Sequence, residues 1–161
     1  MPEELRLQQV PYEHPDVAAL EAAAQRYYVQ IYGGPDDTPF TTADFSPPHG
    51  AFFVGYLDEK AVAMGGWRFR TPGVPRVARR PAEIRRMFVE DRVRGRGFAR
   101  LLLAALEASA AAAGADWLLL ETGQPQVAAV ALYRSSGYVD VERFGHYAAS
   151  ETALNLGRPL G

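Results

Sequence analysis

The chain reads as an α/β protein, a mixed sheet with helices on its faces, and three features predict this. The first half carries two adjacent strand patterns that form a hairpin. The second half alternates strand and helix as β-α-β-α-β. With 161 residues and 48% hydrophobic content, the chain suits a single domain over 1–161 and not comfortably two.

Residues 4–10 alternate in polarity and predict a first strand. Pro15 and Asp16 open a helical pattern whose apolar face is Val17, Leu20, Ala24, Tyr27, Tyr28 and Ile31, and Gly33-Gly34-Pro35 stops it. Residues 35–50 form a Pro/Gly-punctuated loop with a short helix near Thr42–Phe45, a length that often borders a binding site. Ala51–Leu57 and Ala61–Phe69 pair across Asp58-Glu59-Lys60. A Pro/Arg-rich connection, Pro72–Pro81, leads to a strand over 82–89 and a helix over 98–113. A strand over 116–121, a helix over 125–136 and a strand over 138–144 follow, with a last strand near Thr152–Leu156. An antiparallel start followed by that alternation predicts the mixed sheet.

Composition excludes several functions. No run approaches the roughly 20 apolar residues of a membrane span, and the charged start from Met1 to Arg6 lacks a signal peptide's apolar stretch. A cytoplasmic protein without a membrane partner is the expectation. The chain has no cysteine, and His14, His49 and His146 lie far apart, so no metal is expected. The net charge of −2 conceals an asymmetry: between Arg68 and Arg100 lie 11 arginines and three acids, a local +8 against −10 elsewhere. Such a segment implies a local anionic partner and argues against a nucleic-acid-binding protein, since no recognition helix or base-stacking motif accompanies it. Lys60 is the only lysine, and the bias toward arginine and alanine fits a GC-rich bacterial genome.

The centre of that segment is Met87-Phe88-Val89-Glu90-Asp91-Arg92-Val93-Arg94-Gly95-Arg96-Gly97-Phe98-Ala99-Arg100. A strand feeds a glycine turn, which feeds a helix with Leu101, Leu102, Ala105 and Leu106 on its apolar face. First-turn N–H groups lack intrahelical partners, the helix dipole adds partial positive charge, and glycine lets backbone approach an anion. Arg92, Arg94, Arg96 and Arg100 add full charges, so the turn suits a pyrophosphate. An ordinary strand-to-helix turn with solvated arginines is the plainer alternative. The Walker pattern and the dinucleotide fingerprint are both absent.

These residues resemble the GNAT superfamily of N-acetyltransferases. The family's coenzyme A signature, Gln/Arg-x-x-Gly-x-Gly/Ala, is similar to Arg92-Val93-Arg94-Gly95-Arg96-Gly97. Its second motif is similar to Gln126 and Ala129 followed by Leu132-Tyr133-Arg134-Ser135-Ser136-Gly137-Tyr138, with Gln126 where Asn is more frequent. The resemblance implies a central, mostly antiparallel sheet of about six to seven strands flanked by about four helices. It implies that the strand ending at Val89 splays from the strand over 116–121 and that pantetheine fills the gap against Met87, Phe88 and Val89. The pyrophosphate would lie on Arg94, Gly95, Arg96, Gly97, Phe98 and Ala99, with Gln126 reaching pantetheine. A strand N–H would receive the acetyl carbonyl oxygen.

The resemblance further implies acetyl-CoA as co-substrate, no metal, and a primary amine of a small molecule or peptide as acceptor. Dimers are common among such folds, so a homodimer is compatible. Tyr133 takes the place of the family's thiolate proton donor, against a plain role as a core aromatic. Glu83 takes that of a general base, against an ion pair with Arg85 or another arginine. Strand alternation puts Glu83, Arg85 and Met87 on one face unless a bulge near Met87–Val89 reverses the register. Tyr28, Tyr32, Asp36, Asp37, Trp67, Arg68 and Tyr147 are the acceptor-side candidates, aromatics and carboxylates for a cationic amine and Arg68 for a carboxylate. Each has an alternative as ordinary core or surface. A non-catalytic acyl-CoA-binding domain is the competing reading of the whole chain, and it would tolerate loss of Tyr133 and Glu83.

Overall fold

A computed structural model describes residues 4–161, which leaves the first three residues of the charged start outside it. The elements run β1 (Arg6–Gln9), α1 (Pro15–Tyr32), β2 (Gly50–Leu57), β3 (Lys60–Phe69), β4 (Pro81–Val89), α2 (Phe98–Ala112), β5 (Trp117–Gly123), α3 (Val127–Ser135), β6 (Val139–Asp140) and β7 (Ala153–Pro159). The strands form one seven-stranded sheet in the order β1-β2-β3-β4-β5-β7-β6. Every neighbouring pair is antiparallel except β4 with β5.

Among the described residues there are three α-helices rather than about four. The fourth candidate, Thr42–Phe45, is a single 3₁₀ turn. Thr41 and Asp44 cap it reciprocally, and Pro47-Pro48 shortly afterwards prevents elongation. The strand expected over 138–144 is only Val139–Asp140. After it Gly145 turns with φ 84°, and Arg143 ties down the carbonyls of Ala148 and Ser150. β7 is correspondingly longer and pairs along β5 from Trp117↔Pro159 to Gly123↔Ala153. No described helix is long and apolar enough to cross a membrane.

Each face of the sheet has its own core. On one, Val17, Leu20, Ala24 and Tyr28 of α1 pack with Phe45, Phe52, Met64 and Phe88. On the other, Leu102, Leu103 and Leu106 of α2 pack with Ile84, Leu118 and Leu120, joined by Tyr133 of α3. The spacing of these positions on α1 and α2 is the helical period that the sequence displays.

Two irregularities of β4 position the site. The first is a bulge: Gly66 pairs with Arg85 but Met64 pairs with Phe88, so Arg86 and Met87 together oppose Gly65, and Arg86 has φ 59°. In consequence Arg85 and Arg86 both reach Asp36 on the α1 side, while Met87 crosses to meet Tyr133. The second is a splay. β4 and β5 pair only from Pro81↔Trp117 to Glu83↔Leu119, and beyond that point each strand keeps its outer partner but not the other. The facing edge of β4 therefore presents unpaired backbone groups to a gap.

Candidate active site

The gap opens into a cleft. Its walls include Met87, Phe88 and Val89 from β4, Ala129, Leu132 and Tyr133 from α3, and the turn at Arg94, Gly95, Gly97, Phe98, Ala99 and Arg100. Gly95 and Gly97 have φ 81° and 82°, left-handed values that penalise other residues by roughly 1–2 kcal/mol. No side chain caps α2 at Gly97, so its first-turn amides are not covered by a local oxygen. Arg94 is fixed by a bond from Nε to the Val89 carbonyl at 3.1 Å and by stacking 4.9 Å over Tyr27. Arg100 reaches Ser135 and Ser136, joining the two helices that flank the cleft. Arg92 and Arg96 are exposed beside the turn and do not line the cleft, Arg92 being engaged by Glu90 at 2.6 Å.

Tyr133 of α3 is a buried residue of this cleft's wall. Its hydroxyl meets only the Met87 sulfur, at 3.6 Å, among the described residues, and burial pushes its pKa well above the usual tyrosine range. The hydroxyl is thus protonated and lacks a strong partner.

A second pocket lies on the α1 side, lined by Tyr28, Tyr32, Asp36 and Tyr147 together with Arg85, Glu121 and Gly123. Tyr28 and Gln126 line both cavities, so the two meet there. At the junction Gln126 Nε2 donates to the Tyr32 hydroxyl at 2.9 Å. That hydroxyl rests so closely on Gly123 that an added Cβ would stand 2.2 Å from it. Gly123 leaves room for the tyrosine to bridge α1 to the end of β5.

The carboxylates are all engaged by basic partners. Asp36 lines the pocket, but its oxygens accept from Arg85, Arg86, Thr38 and Tyr147. Burial raises its pKa, the two guanidiniums and Thr38 outweigh that, and the carboxyl is held at about 2. Its negative charge is already matched by two guanidiniums. Asp37 is exposed and pairs with His146 at 2.8 Å. Glu83 is 1% exposed, pairs with Arg68 at 3.3 Å and Arg70 at 3.4 Å, and lines neither cavity. It makes the ion pairs of the alternative reading, with Arg68 and Arg70 as partners.

Trp67 and Arg68 also lie elsewhere. Trp67 is buried, and its indole donates to Ser109 of α2 at 2.9 Å. Arg68 is held by Glu83, Asp44 and the Pro39 carbonyl. Sequence reasoning missed Arg85 and Glu121 as pocket residues. Burial raises the Glu121 pKa, and the like charge of Glu83 adds to it against the pull of Arg85. The signal that could have found Glu121 is its place at the end of a strand, directly before Thr122-Gly123. Among the described residues no group of three His, Cys, Asp or Glu could hold a metal ion.

Comparison with known proteins places the fold among acetyltransferases. A family model, the acetyltransferase (GNAT) family, matches residues 17–138. An IAA acetyltransferase of Azospirillum brasilense is 32% identical over 144 residues, covering 89% of this chain and 90% of that protein. A solved structure from Klebsiella pneumoniae, described as an acyl-CoA N-acyltransferase, superposes with a TM-score of 0.78 at 24% identity over 98% of both chains. A GNAT family acetyltransferase from Elizabethkingia anophelis with acetyl-CoA bound superposes with a TM-score of 0.67 at 13% identity, covering 97% of this chain and 98% of that one.

Proposed function

The chain belongs to the acetyltransferase (GNAT) family, and from that premise we propose that it moves an acetyl group from acetyl-CoA to the primary amine of a small molecule within a ternary complex. The observation that carries this reading is the meeting of two cavities at Tyr28 and Gln126, one entered past an uncapped helix turn and the other walled off by α1 and β5. The residues fit the donor. First-turn amides and Arg94 suit a pyrophosphate, apolar Ala129 and Leu132 suit pantetheine, and the unpaired edge of β4 suits its amides.

In this reading Tyr28 and Gln126 hold the acceptor nitrogen against the thioester carbonyl carbon. Proximity supplies much of the rate, because the thioester is already activated. Glu121 takes a proton from the incoming ammonium, its raised pKa making it a better base than an ordinary glutamate. The nitrogen lone pair forms the C–N bond, and a β4 N–H steadies the oxyanion. The C–S bond then breaks, Tyr133 gives the departing thiolate its proton, and solvent restores the phenol while the amide nitrogen sheds its second proton. The dry surroundings that raise the Tyr133 pKa also raise the basicity of the thiolate.

Calorimetry with acetyl-CoA and a thiol-release assay over an amine panel test the reading. The A. brasilense relative's name puts IAA in the first panel. Gly97→Ala is expected to weaken acetyl-CoA binding about tenfold, because the alanine resists φ 82° and shifts the amides that hold the diphosphate. No heat from acetyl-CoA and no thiol release from any amine would sink the assignment. Gly123→Ala is expected to push the Tyr32 ring off its seat and raise the acceptor KM several-fold, with a small change in melting temperature. An unchanged acceptor KM would remove the Tyr32–Gln126 bridge from the acceptor site.

A further inference from the structure

The acceptor pocket is lined by two opposite charges, Arg85 and Glu121, that meet only through a long contact of 3.5 Å. Arg85 is gripped at one end: Nη2 donates to Asp36 at 3.2 and 2.9 Å and to the Thr38 hydroxyl. Its other terminal nitrogen, Nη1, reaches Glu121 Oε1 only at 3.5 Å and Glu83 Oε2 only at 3.9 Å. A charge-assisted N–H···O bond is ordinarily about 2.7–2.9 Å. Glu83 Oε2 is itself buried without a hydrogen-bond partner, so Arg85 Nη1 stands between two carboxylates and closes tightly on neither. Glu121 is fixed from its far side, Oε2 accepting the Tyr147 N–H at 3.0 Å, while Oε1 shares the long contact with Arg85. Both side chains are about 95% buried or more, at 5% and 3% exposure, and both line the pocket.

Buried charges held at such a separation are poorly compensated. A plain ammonium ion entering the pocket would satisfy Glu121 and leave Arg85 Nη1 as it is. A carboxylate alone would do the reverse. A molecule carrying both groups on one carbon completes both at once. We propose that the acceptor is a zwitterion, a free α-amino acid whose carboxylate takes Arg85 Nη1 and whose ammonium group takes Glu121 Oε1.

This rests on the acetyl-transfer reading and adds a substrate class to it. Glu121 lies two residues before Gly123, the seat of the Tyr32–Gln126 bridge, so an ammonium bound there is on the strand that leads to the donor cleft. Net charge agrees: the zwitterion brings none, and Asp36 keeps its pairing with Arg85 and Arg86. The rings of Tyr28 and Tyr32 border the remaining space and suit an aliphatic or aromatic side chain.

The test uses the full chain with acetyl-CoA and measures thiol release for the common L-amino acids, their amides and their decarboxylated amines. The best amino acid is expected to exceed both its amide and its decarboxylated amine by at least about tenfold in kcat/KM. Arg85→Gln is expected to raise the amino-acid KM about tenfold while changing the KM of the amide less than about twofold, and Arg85→Lys to restore part of the loss. Where Arg85→Gln does not fold, the comparison of acid, amide and amine in the unaltered protein decides. Equal or better use of amides or plain amines overturns the zwitterion and leaves acetyl transfer intact. No thiol release from any member, with acetyl-CoA bound in calorimetry, overturns the transfer reading and this proposal with it.

Discussion

Asp36→Ala is expected to lower the unfolding free energy by about 3–5 kcal/mol, read from the urea midpoint at neutral pH. Arg85 and Arg86 are both nearly buried, with side chains 5% and 4% exposed, and they converge on this one carboxylate. Removing it leaves Arg86 with Glu21 at 2.9 Å and Arg85 with the Thr38 hydroxyl and long contacts to the carboxylates of Glu121 and Glu83. The loss is a large share of the roughly 5–15 kcal/mol by which domains are stable. The same group sets an acid limb. Its folded pKa of about 2 lies below the ordinary 3.8, so its contribution is complete above the ordinary value and disappears as pH falls through about 2. Integrated, that shift is worth about 2 kcal/mol. Urea midpoints followed from neutral to acid should therefore fall less steeply for Asp36→Ala than for the unaltered protein. A variant within 1 kcal/mol of the parent (roughly the worth of an ordinary hydrogen bond) would show that the loop over residues 34–38 is anchored by something else.

What the sequence revealed was what local chemistry controls. The strand, glycine turn and helix from Pro81 to Ala112 are legible because alternation, glycine and a helical apolar period occur within a short stretch. The splay follows from the family resemblance and appears as pairing that stops at Glu83↔Leu119. Alternation holds unless a bulge near Met87–Val89 intervenes, and the structure has one at Arg86–Met87. That bulge decides which side chains face which cavity, and alternation cannot locate it, because the extra residue is set by how β3 and β4 pair.

The pocket on the α1 side was less legible because its parts are brought together from the whole chain. Tyr28 and Tyr32 come from the end of α1, Glu121 from β5, and Tyr147 from the segment before β7. Chemical type alone nominated Trp67, Arg68 and Asp36 as well. Trp67 goes to the α2 face, Arg68 is drawn to Asp44 and Glu83, and Asp36 is claimed by two arginines. In an arginine-rich chain, a carboxylate near the site is as readily a counter-ion as a ligand. Only the partner distances separate these roles.

Tyr133→Phe is expected to reduce kcat by roughly 10²–10³-fold, the scale of a lost general acid. The substitution keeps the ring, its edge-on packing against Tyr138 at 5.8 Å and its place in the core. It removes a hydroxyl whose only partner among the described residues is a thioether, so stability should change by less than about 1 kcal/mol. Acetyl-CoA affinity should be unaltered, because the turn at Gly95 and Gly97 is untouched. The pH profile separates Tyr133 from Glu121. Burial raises the Tyr133 pKa above 10.0, so this group produces no alkaline fall in kcat below that value. In the proposed mechanism Glu121 acts deprotonated, and its pKa is raised above 4.5, so kcat should fall as pH drops toward that region, with an acid limb displaced upward from an ordinary glutamate. Tyr133→Phe should lower the whole profile and leave the acid limb where it is. A variant that retains kcat within threefold would show that the thiolate leaves without help from the phenol. Positioning at the junction of the two cavities would then carry the rate.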